Sequence, residues 1–360
     1  MKRILALILL ILTTSSISQA ADVFSVKVSA DLKNLSSISF PTPEGVHSFT
    51  LSKVDAVKYL AAENESDGQY FKAKHARPVI GNVNTNAAAE LTDGTFKLNF
   101  FGRRKGRAYQ LTVDLTQTAR PLIARLSHVG TSFSPECASL DAPKTRAIST
   151  SDEVLGSSGK MNREITLSVD ADYPFYQKFK LKGQSAAKSI RYTKNYIRST
   201  VNQVNAIYSD QLGIIVKLNA LRIDTTNERS ISSNDSDDVL ESFRYFTDKN
   251  KTIAKSDIYH LFTNNRMSGS VVGLAYVGAT CRAALGNYSF GLSRLTNPAV
   301  QSLITAHEIA HNLGATHIEG DNSIMSPVLS PSKNKFIPIS VNQIVDFVFE
   351  FGACLEAVGS

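Results

Sequence analysis

The sequence predicts an α/β domain that follows a smaller, β-rich region. From Arg163 onward, strand-like and helix-like segments alternate, and this order is typical of a sandwich built on a mostly parallel sheet. Residues 21 to about 140 contain strand-like runs instead. A chain of 360 residues has the length of about two domains, which agrees with this division.

We predict four segments along the chain. Residues 1–20 resemble a secretory signal peptide, because a basic start precedes an apolar run that is too short to span a bilayer. Residues 21–146 form the β-rich region, and residues 147–160, rich in serine and glycine, form an exposed linker. Residues 161–356 form the α/β domain. We therefore expect a secreted protein, periplasmic or extracellular, that has no membrane anchor and is a monomer.

The β-rich region is predicted from segments that alternate or are enriched in strand-forming residues. These segments are Phe24–Val28, Ser48–Leu51, Phe96–Phe101 and Tyr109–Leu115. Gly81–Ala89 is predicted to be a loop. The region contains no chemical motif of its own.

The α/β domain is predicted from helical stripes between apolar strands. Ser185–Tyr208 carries an apolar stripe at helical spacing. The predicted strands are Ile214–Ile223, Ile258–Phe262 and Val271–Val277. His260 lies within one of these strands, where it is expected to be a hydrogen-bonded core or edge residue and not a ligand.

Helix starts are predicted from capping residues. Ser236 is expected to cap a helix, and Asn297 with Pro298 marks the start of another. Ser340 and Gln343 form a capping box for a last helix.

The net charge is +7, and most of the excess lies before the linker. The α/β domain is nearly neutral, so the charge gives little support to a nucleic-acid partner. Three cysteines in an exported chain allow one disulfide in any of three pairings and leave one thiol over.

The stretch from His307 to His317 contains three of the seven histidines. On a helix His307 and His311 lie on one face, because they are four positions apart, so both imidazoles can bind one ion. Gly314 can adopt the left-handed backbone that ends a helix, and the chain can then turn back to bring His317 to the same ion. Three protein ligands leave one coordination position open, which is typical of a catalytic zinc.

Glu308 follows the first of these ligands, where it can take a proton from an attacking water. The alternative is a buried helix that contains histidines by chance. Gly314 and His317 in register, and Met325 in Ser323–Pro327, favour the extended zinc motif followed by a Met-turn.

These residues resemble the metzincin metallopeptidases, and other segments resemble their adamalysin (reprolysin) branch. The segments are Val204–Tyr208 in the first long helix, Val272–Gly278 followed by Cys281, and Ile324–Pro327 at the Met-turn. The resemblance covers roughly residues 163–354. It implies a metzincin-type catalytic domain: a mostly parallel twisted sheet with an antiparallel edge strand, a zinc helix and a Met-turn, preceded here by a β-rich prodomain.

The resemblance also implies roles for individual residues. His307, His311 and His317 would bind one catalytic Zn²⁺, with Glu308 as general base and Met325 as the apolar floor. Val272, Gly273, Leu274 and Ala275 would form the edge strand that pairs with an extended substrate. Cys281 and Cys354 fit the disulfide of the family.

We therefore predict a secreted zinc endopeptidase that is made as a latent precursor and acts on proteins or peptides. The leftover Cys137 is a candidate cysteine switch, because a thiolate could fill the open zinc position. The alternative for Cys137 is a packed, unpaired thiol. The alternatives for the chain are a non-catalytic zinc-stabilised binding module and a zinc amidase acting on cell-wall peptides.

Overall fold

The computed structural model describes most of the chain outside the predicted signal peptide and linker. The described residues are 22–30, 35–42, 45–54, 68–75, 87–92, 94–101, 108–117, 122–129, 136–141, 160–228, 231, 233–250, 255–282, 286–319 and 323–358. The predicted signal peptide at 1–20 and nearly all of the predicted linker at 147–160 lie outside them.

The first region is a closed barrel of eight antiparallel strands in which each strand pairs with its neighbour in sequence and β1 pairs with β8. The strands are β1 (Asp22–Ala30), β2 (Ser37–Thr42), β3 (Gly45–Val54), β4 (Gly68–His75), β5 (Ala87–Thr92), β6 (Thr95–Phe101), β7 (Ala108–Asp114) and β8 (Leu122–Val129). Alternate apolar side chains fill the interior; Phe49, Leu98 and Leu111 are fully buried there. The prediction of a loop over Gly81–Ala89 is wrong for its last residues, because β5 begins at Ala87. Its alanines have low strand propensity but are buried between β4 and β6.

The second region is an α/β layer in which the predicted strands and helices follow one another as expected, with α1, β14 and β15 as additional elements that were not predicted. Its elements are β10 (Arg163–Ala171), α1 (Tyr173–Gln177), α2 (Ala186–Gln211), β11 (Ile214–Ile223), α3 (Ser236–Lys249), β12 (Ile258–Thr263), β13 (Val271–Val277), β14 (Phe290–Arg294), α4 (Pro298–Asn312), α5 (Pro338–Phe351) and β15 (Glu356–Ala357). Strands β11, β10, β12 and β14 are parallel neighbours, and β13 runs antiparallel to β14. This is the mostly parallel sheet with an antiparallel strand that the resemblance implied.

Two of the predicted helix caps differ from the structure. Asn297 accepts from the Ala299 backbone N–H with Pro298 at the first turn, as predicted. Helix α3 is capped by Asp235 and not by Ser236. Helix α5 begins at Pro338, two residues before the predicted capping box, and has no side-chain cap. The fixed φ of proline starts this helix without a capping side chain.

The expected open edge of the sheet is covered. Strand β13 is the outermost strand that residues 161–356 contribute, but β9 (Glu136–Asp141) pairs with it in parallel. Cys137 lies opposite Gly273 in this pairing. In the described structure this edge is therefore not free, because a strand from the predicted prodomain occupies it.

The barrel packs on the α/β layer through both apolar and polar contacts. Tyr70, Phe101 and Ala108 of the barrel belong to the apolar cluster of the α/β layer. One face of α2 packs on the sheet through Ile197, Val201 and Val204. The opposite face meets the barrel in side-chain hydrogen bonds: Asn202 to the carbonyls of Phe71 and Ala89, both 3.3 Å, Asn99 to Ser199, 3.2 Å, and Lys72 to Ser209, 2.6 Å. Among the described residues, no helix has the length and apolarity needed to cross a membrane.

Candidate metal centre and cleft

Helix α4 carries the first two histidines of the motif in its last turns. His307 and His311 are fully buried and face the same side of the helix. Leu313 caps the helix, and Gly314 follows with φ +87, a conformation that side-chain-bearing residues rarely adopt. A Cβ at Gly314 would also lie 2.8 Å from Phe347 of α5. Glycine therefore ends this helix for two reasons, and the chain turns back to deliver His317.

The three imidazoles converge through their Nε2 atoms. The Nε2 of His317 lies 3.0 Å from that of His307 and 3.1 Å from that of His311. The opposite ring nitrogens lie at backbone carbonyls, with His307 Nδ1 2.6 Å from Ile324 O and His311 Nδ1 2.7 Å from Ala315 O. Since a carbonyl can only accept, each Nδ1 carries the proton and each Nε2 presents its lone pair.

This arrangement suits a divalent cation. Burial lowers the pKa of His307, and neighbouring His311 lowers it further; burial and then His317 lower the pKa of His311 to about 3. Burial also lowers the pKa of His317. The His317 nitrogen lies about 3 Å from each of the other two, and carbonyls orient the His307 and His311 rings from their far sides. Three neutral nitrogens in this arrangement form the kind of donor set that zinc accepts.

Glu308 is a fully buried carboxylate beside this centre. Burial raises its pKa well above the usual range. Neither of its oxygens has an oriented hydrogen-bond partner among the described residues. A Cys137 sulfur, a His307 nitrogen and a Glu308 oxygen all lie within 4.8 Å of one another. Burial and then Glu308 raise the pKa of the Cys137 thiol.

The predicted Met-turn is held directly against the zinc helix. Met325 is fully buried, its backbone N–H donates to Ser323 Oγ, and its carbonyl accepts from Ile318 N–H, 2.9 Å. The carbonyl of Ile324 is the acceptor for His307 Nδ1. The turn thus orients one candidate ligand and closes the loop that bears another.

Strand β9 lies in a cleft with two rims. One rim is β13, and the other is the segment after the Met-turn, where Pro327 O accepts from the Cys137 N–H, 2.9 Å, and Val328 bridges Glu136. The sequence indicates Pro327 only as part of the Met-turn, and it does not predict that the Pro327 carbonyl would pair with β9. The Cys137 side chain packs in a small apolar cluster with Val272, Val300, Ile304 and Leu329.

The cysteines and His260 lie in separate places. Cys281 and Cys354 form a disulfide that joins the segment after β13 to the end of α5. Cys137 is a free, buried thiol. His260 is buried, its Nε2 contacts Ser293 Oγ, and it is not part of the histidine cluster.

Comparisons with known proteins agree on the second region. Residues 161–339 match the family profile Reprolysin_5, Metallo-peptidase family M12. The human disintegrin and metalloproteinase domain-containing protein 22 is 30% identical over 151 residues, which are 42% of this chain and 15% of that protein. The snake venom metalloproteinase trimerelysin-2 of Protobothrops flavoviridis is 29% identical over 200 residues, which are 52% of this chain and 93% of that protein.

A solved structure extends the fold comparison beyond the matched domain. Metalloproteinase-II from Bacteroides fragilis superposes with a TM-score of 0.54 at 13% identity, over 86% of this chain and 90% of that one. This coverage reaches into the barrel region, so the likeness in fold includes both parts. Residues 161–339 therefore form a reprolysin-like metzincin domain of metallopeptidase family M12.

Proposed function

We propose that the chain is a zinc-dependent endopeptidase that hydrolyses peptide bonds in proteins or peptides. The convergence of the His307, His311 and His317 Nε2 atoms carries this proposal. The buried Glu308 beside them supports it, because a module that used zinc only for stability would need no carboxylate there.

The proposed chemistry divides between the ion and the protein. A bound Zn²⁺ would polarise the scissile carbonyl and lower the pKa of a water at this position. Glu308 takes the proton of the attacking water and returns it to the leaving amine. The carbonyls at His307 and His311 Nδ1 keep both rings neutral and oriented during this exchange.

Incubation of the linker-cleaved, zinc-loaded chain with a peptide library, with and without a chelator, tests the activity. We expect chelator-sensitive cleavage of internal peptide bonds and cleavage of a denatured protein such as casein. A cell-wall amidase would leave casein intact, and a binding module would hold zinc but cut neither substrate.

Glu308→Gln tests the assignment of the base. The variant keeps the side-chain shape but cannot accept a proton, so we expect zinc content to be unchanged and kcat to fall by at least about 100-fold. Metal analysis alongside the kinetics separates loss of the base from loss of the ion. Near-normal turnover would show that another group takes the proton.

We further propose that the chain is exported and made as a latent precursor. The signal-like start supports export. Strand β9 supports latency, because it occupies the edge of β13 with which a substrate would pair and is held on the other side by Pro327. Cleavage where the β-rich region meets the linker, near Lys144–Arg146, would begin activation; these residues lie outside the described ones.

Within the precursor, Cys137 is the proposed blocking residue. Its sulfur lies beside both His307 and Glu308, so it fills space that water and a scissile bond need. We expect the uncleaved Cys137→Ala chain to hydrolyse peptides measurably while the uncleaved wild type does not. Ser139→Ala, an exposed change on the same strand, is the matched control. A Cys137→Ala precursor as inactive as wild type would rule out the switch.

A further inference from the structure

Gly273 occupies a position on β13 where no other residue fits the present structure. A Cβ built there would lie 2.1 Å from Glu308 Oε1, 2.9 Å from Glu308 Cδ and 2.8 Å from Ile304 Cγ2. The backbone at Gly273 is not in the left-handed region, so its conformation does not require glycine. The requirement comes first from the Glu308 carboxylate, which gives the shortest contact, and then from Ile304 beside it.

The neighbouring strand has a second close approach under the same side chain. A Cβ at Gly291 on β14 would lie 3.4 Å from Glu308 Cβ and 3.2 Å from His260 Nδ1. Gly291 pairs with Ala275, two residues beyond Gly273 on the same face of β13. Gly291 therefore gives room to the base of the Glu308 side chain, and Gly273 gives room to its end.

Packing supplies much of what holds this carboxylate in position. Both Glu308 oxygens are buried, and the described group that interacts with the carboxyl as a hydrogen-bond partner is the Cys137 thiol, a weak donor. Once β9 has left the cleft, the surfaces around the carboxylate are what keep it in position. A methyl group at residue 273 would occupy the place where Oε1 now lies.

We propose that Gly273 is a positioning residue for Glu308. Because Gly273 has no side chain, it leaves the space in which the carboxylate is held for proton transfer. This inference rests on the proposed function and adds to it a role for Gly273 apart from pairing with substrate. Backbone pairing at residue 273 does not depend on its side chain, so the two roles can be separated by experiment.

The kinetic test compares Gly273→Ala with wild type in the linker-cleaved full chain. Displacing a catalytic group by about 1 Å lowers the reaction rate about 100-fold, so we expect kcat to fall by roughly that factor. KM and the affinity for a non-cleavable extended peptide should stay at wild-type values, as should zinc content. A loss confined to KM, or an unchanged kcat, would overturn the positioning role.

A thermodynamic cycle tests the same contact without activity. Gly273→Ala should lower the unfolding midpoint clearly when Glu308 is present and much less in the Glu308→Ala background, where the clashing carboxylate is gone. Equal effects in both backgrounds would overturn the inference, even if Gly273→Ala folds poorly. If wild type shows no cleavage, the proposed function fails, while this cycle still reports on the contact itself.

Discussion

His260 is a buried imidazole whose hydrogen bonding is only half satisfied. Its Nε2 contacts Ser293 Oγ, which lies 3.2 Å from Thr305 Oγ1 on α4, while its Nδ1 has no partner among the described residues. Burial lowers the pKa of His260 to about 3. The side chain is therefore neutral in the folded protein over the whole physiological range, as expected of a core residue.

This lowered pKa predicts a pH dependence of stability. Between pH about 6.5 and about 3 the unfolded chain binds a proton at His260 that the folded chain does not, so the free energy of unfolding should fall as the pH falls through this window. Denaturant unfolding at pH 7 and pH 4.5 measures the change. His260→Gln, which cannot titrate, should show a smaller difference between the two pH values, and an identical difference would contradict the assignment.

Among single residues, the sequence predicted those whose positions are set by local chain geometry. The spacing of His307 and His311, with Gly314 after them, places all three nitrogens, because one helix and one turn contain the whole motif. Cys137 was singled out only because its thiol was left over. Its place beside Glu308 depends on pairing between β9 and β13, which are far apart in sequence, and no local pattern encodes that pairing.

Helix α5 shows how a predicted cap can serve another element. Gln343, expected in a capping box, instead uses both ends of its amide on Thr316: its oxygen accepts from the Thr316 N–H, 3.1 Å, and its nitrogen donates to Thr316 Oγ1, 2.9 Å. Thr316 immediately precedes His317. Gln343 therefore holds the loop that positions the third histidine, and the helix begins without it.

We expect Gln343→Ala to weaken metal binding more than it weakens the fold. Removing a group that orients a metal ligand lowers metal affinity by roughly tenfold or more. Gln343 acts through the residue next to a ligand, so we expect its removal to lower zinc affinity by about tenfold. Competition with a chromogenic chelator measures the affinity. Asn342→Ala, one position earlier on the same helix, is the comparison. A loss of thermal stability with unchanged zinc affinity would assign Gln343 to the helix after all.

At the level of elements, apolar periodicity predicted strands and helices well where one face is buried. Val271–Val277 and Ile214–Ile223 have the predicted bounds. The strands that were not predicted are β2, β4, β5, β8, β9, β14 and β15. Strands β8, β9 and β14 take hydrogen bonds from partners far along the chain, which a local window of sequence does not contain. Strands β2 and β5 form close hairpins with β3 and β6, and β5 contains three alanines, so its weak local propensity gave no signal.

In the whole molecule, β9 belongs to the first region by sequence and to the second by structure. The predicted linker follows β9, so a cut in the linker leaves both the barrel and β9 in place. The barrel is held on the α/β layer through the hydrogen bonds of Asn202 and Lys72 and through buried Tyr70, Phe101 and Ala108. Full activation should therefore require dissociation as well as cleavage.

This predicts a delay between cleavage and activity. After cleavage at a specific protease site engineered into residues 147–159, peptide hydrolysis should appear later than the cut itself. Asn202→Ala and Lys72→Ala should shorten the delay, because each removes contacts that retain the barrel. Lys53→Ala, an exposed lysine on β3, is the control. Activity that rises with cleavage in wild type, with no delay, would contradict the requirement for dissociation.

The sequence predicted the two-part organisation and the catalytic fold, but not that the parts share one sheet. The division came from composition and from the order of strands and helices, which report on each region separately. The barrel itself could not be predicted, because closure depends on the pairing of β1 with β8 across the whole region.

The order of synthesis follows from the position of β9. A ribosome releases Cys137 well before it releases β13, Glu308 or the turn after Met325, so the occupant of the cleft is made before the cleft. When the later residues fold, their strand partner is already tethered nearby. The cleft would then never be folded and empty during synthesis, because its occupant is present before its walls form.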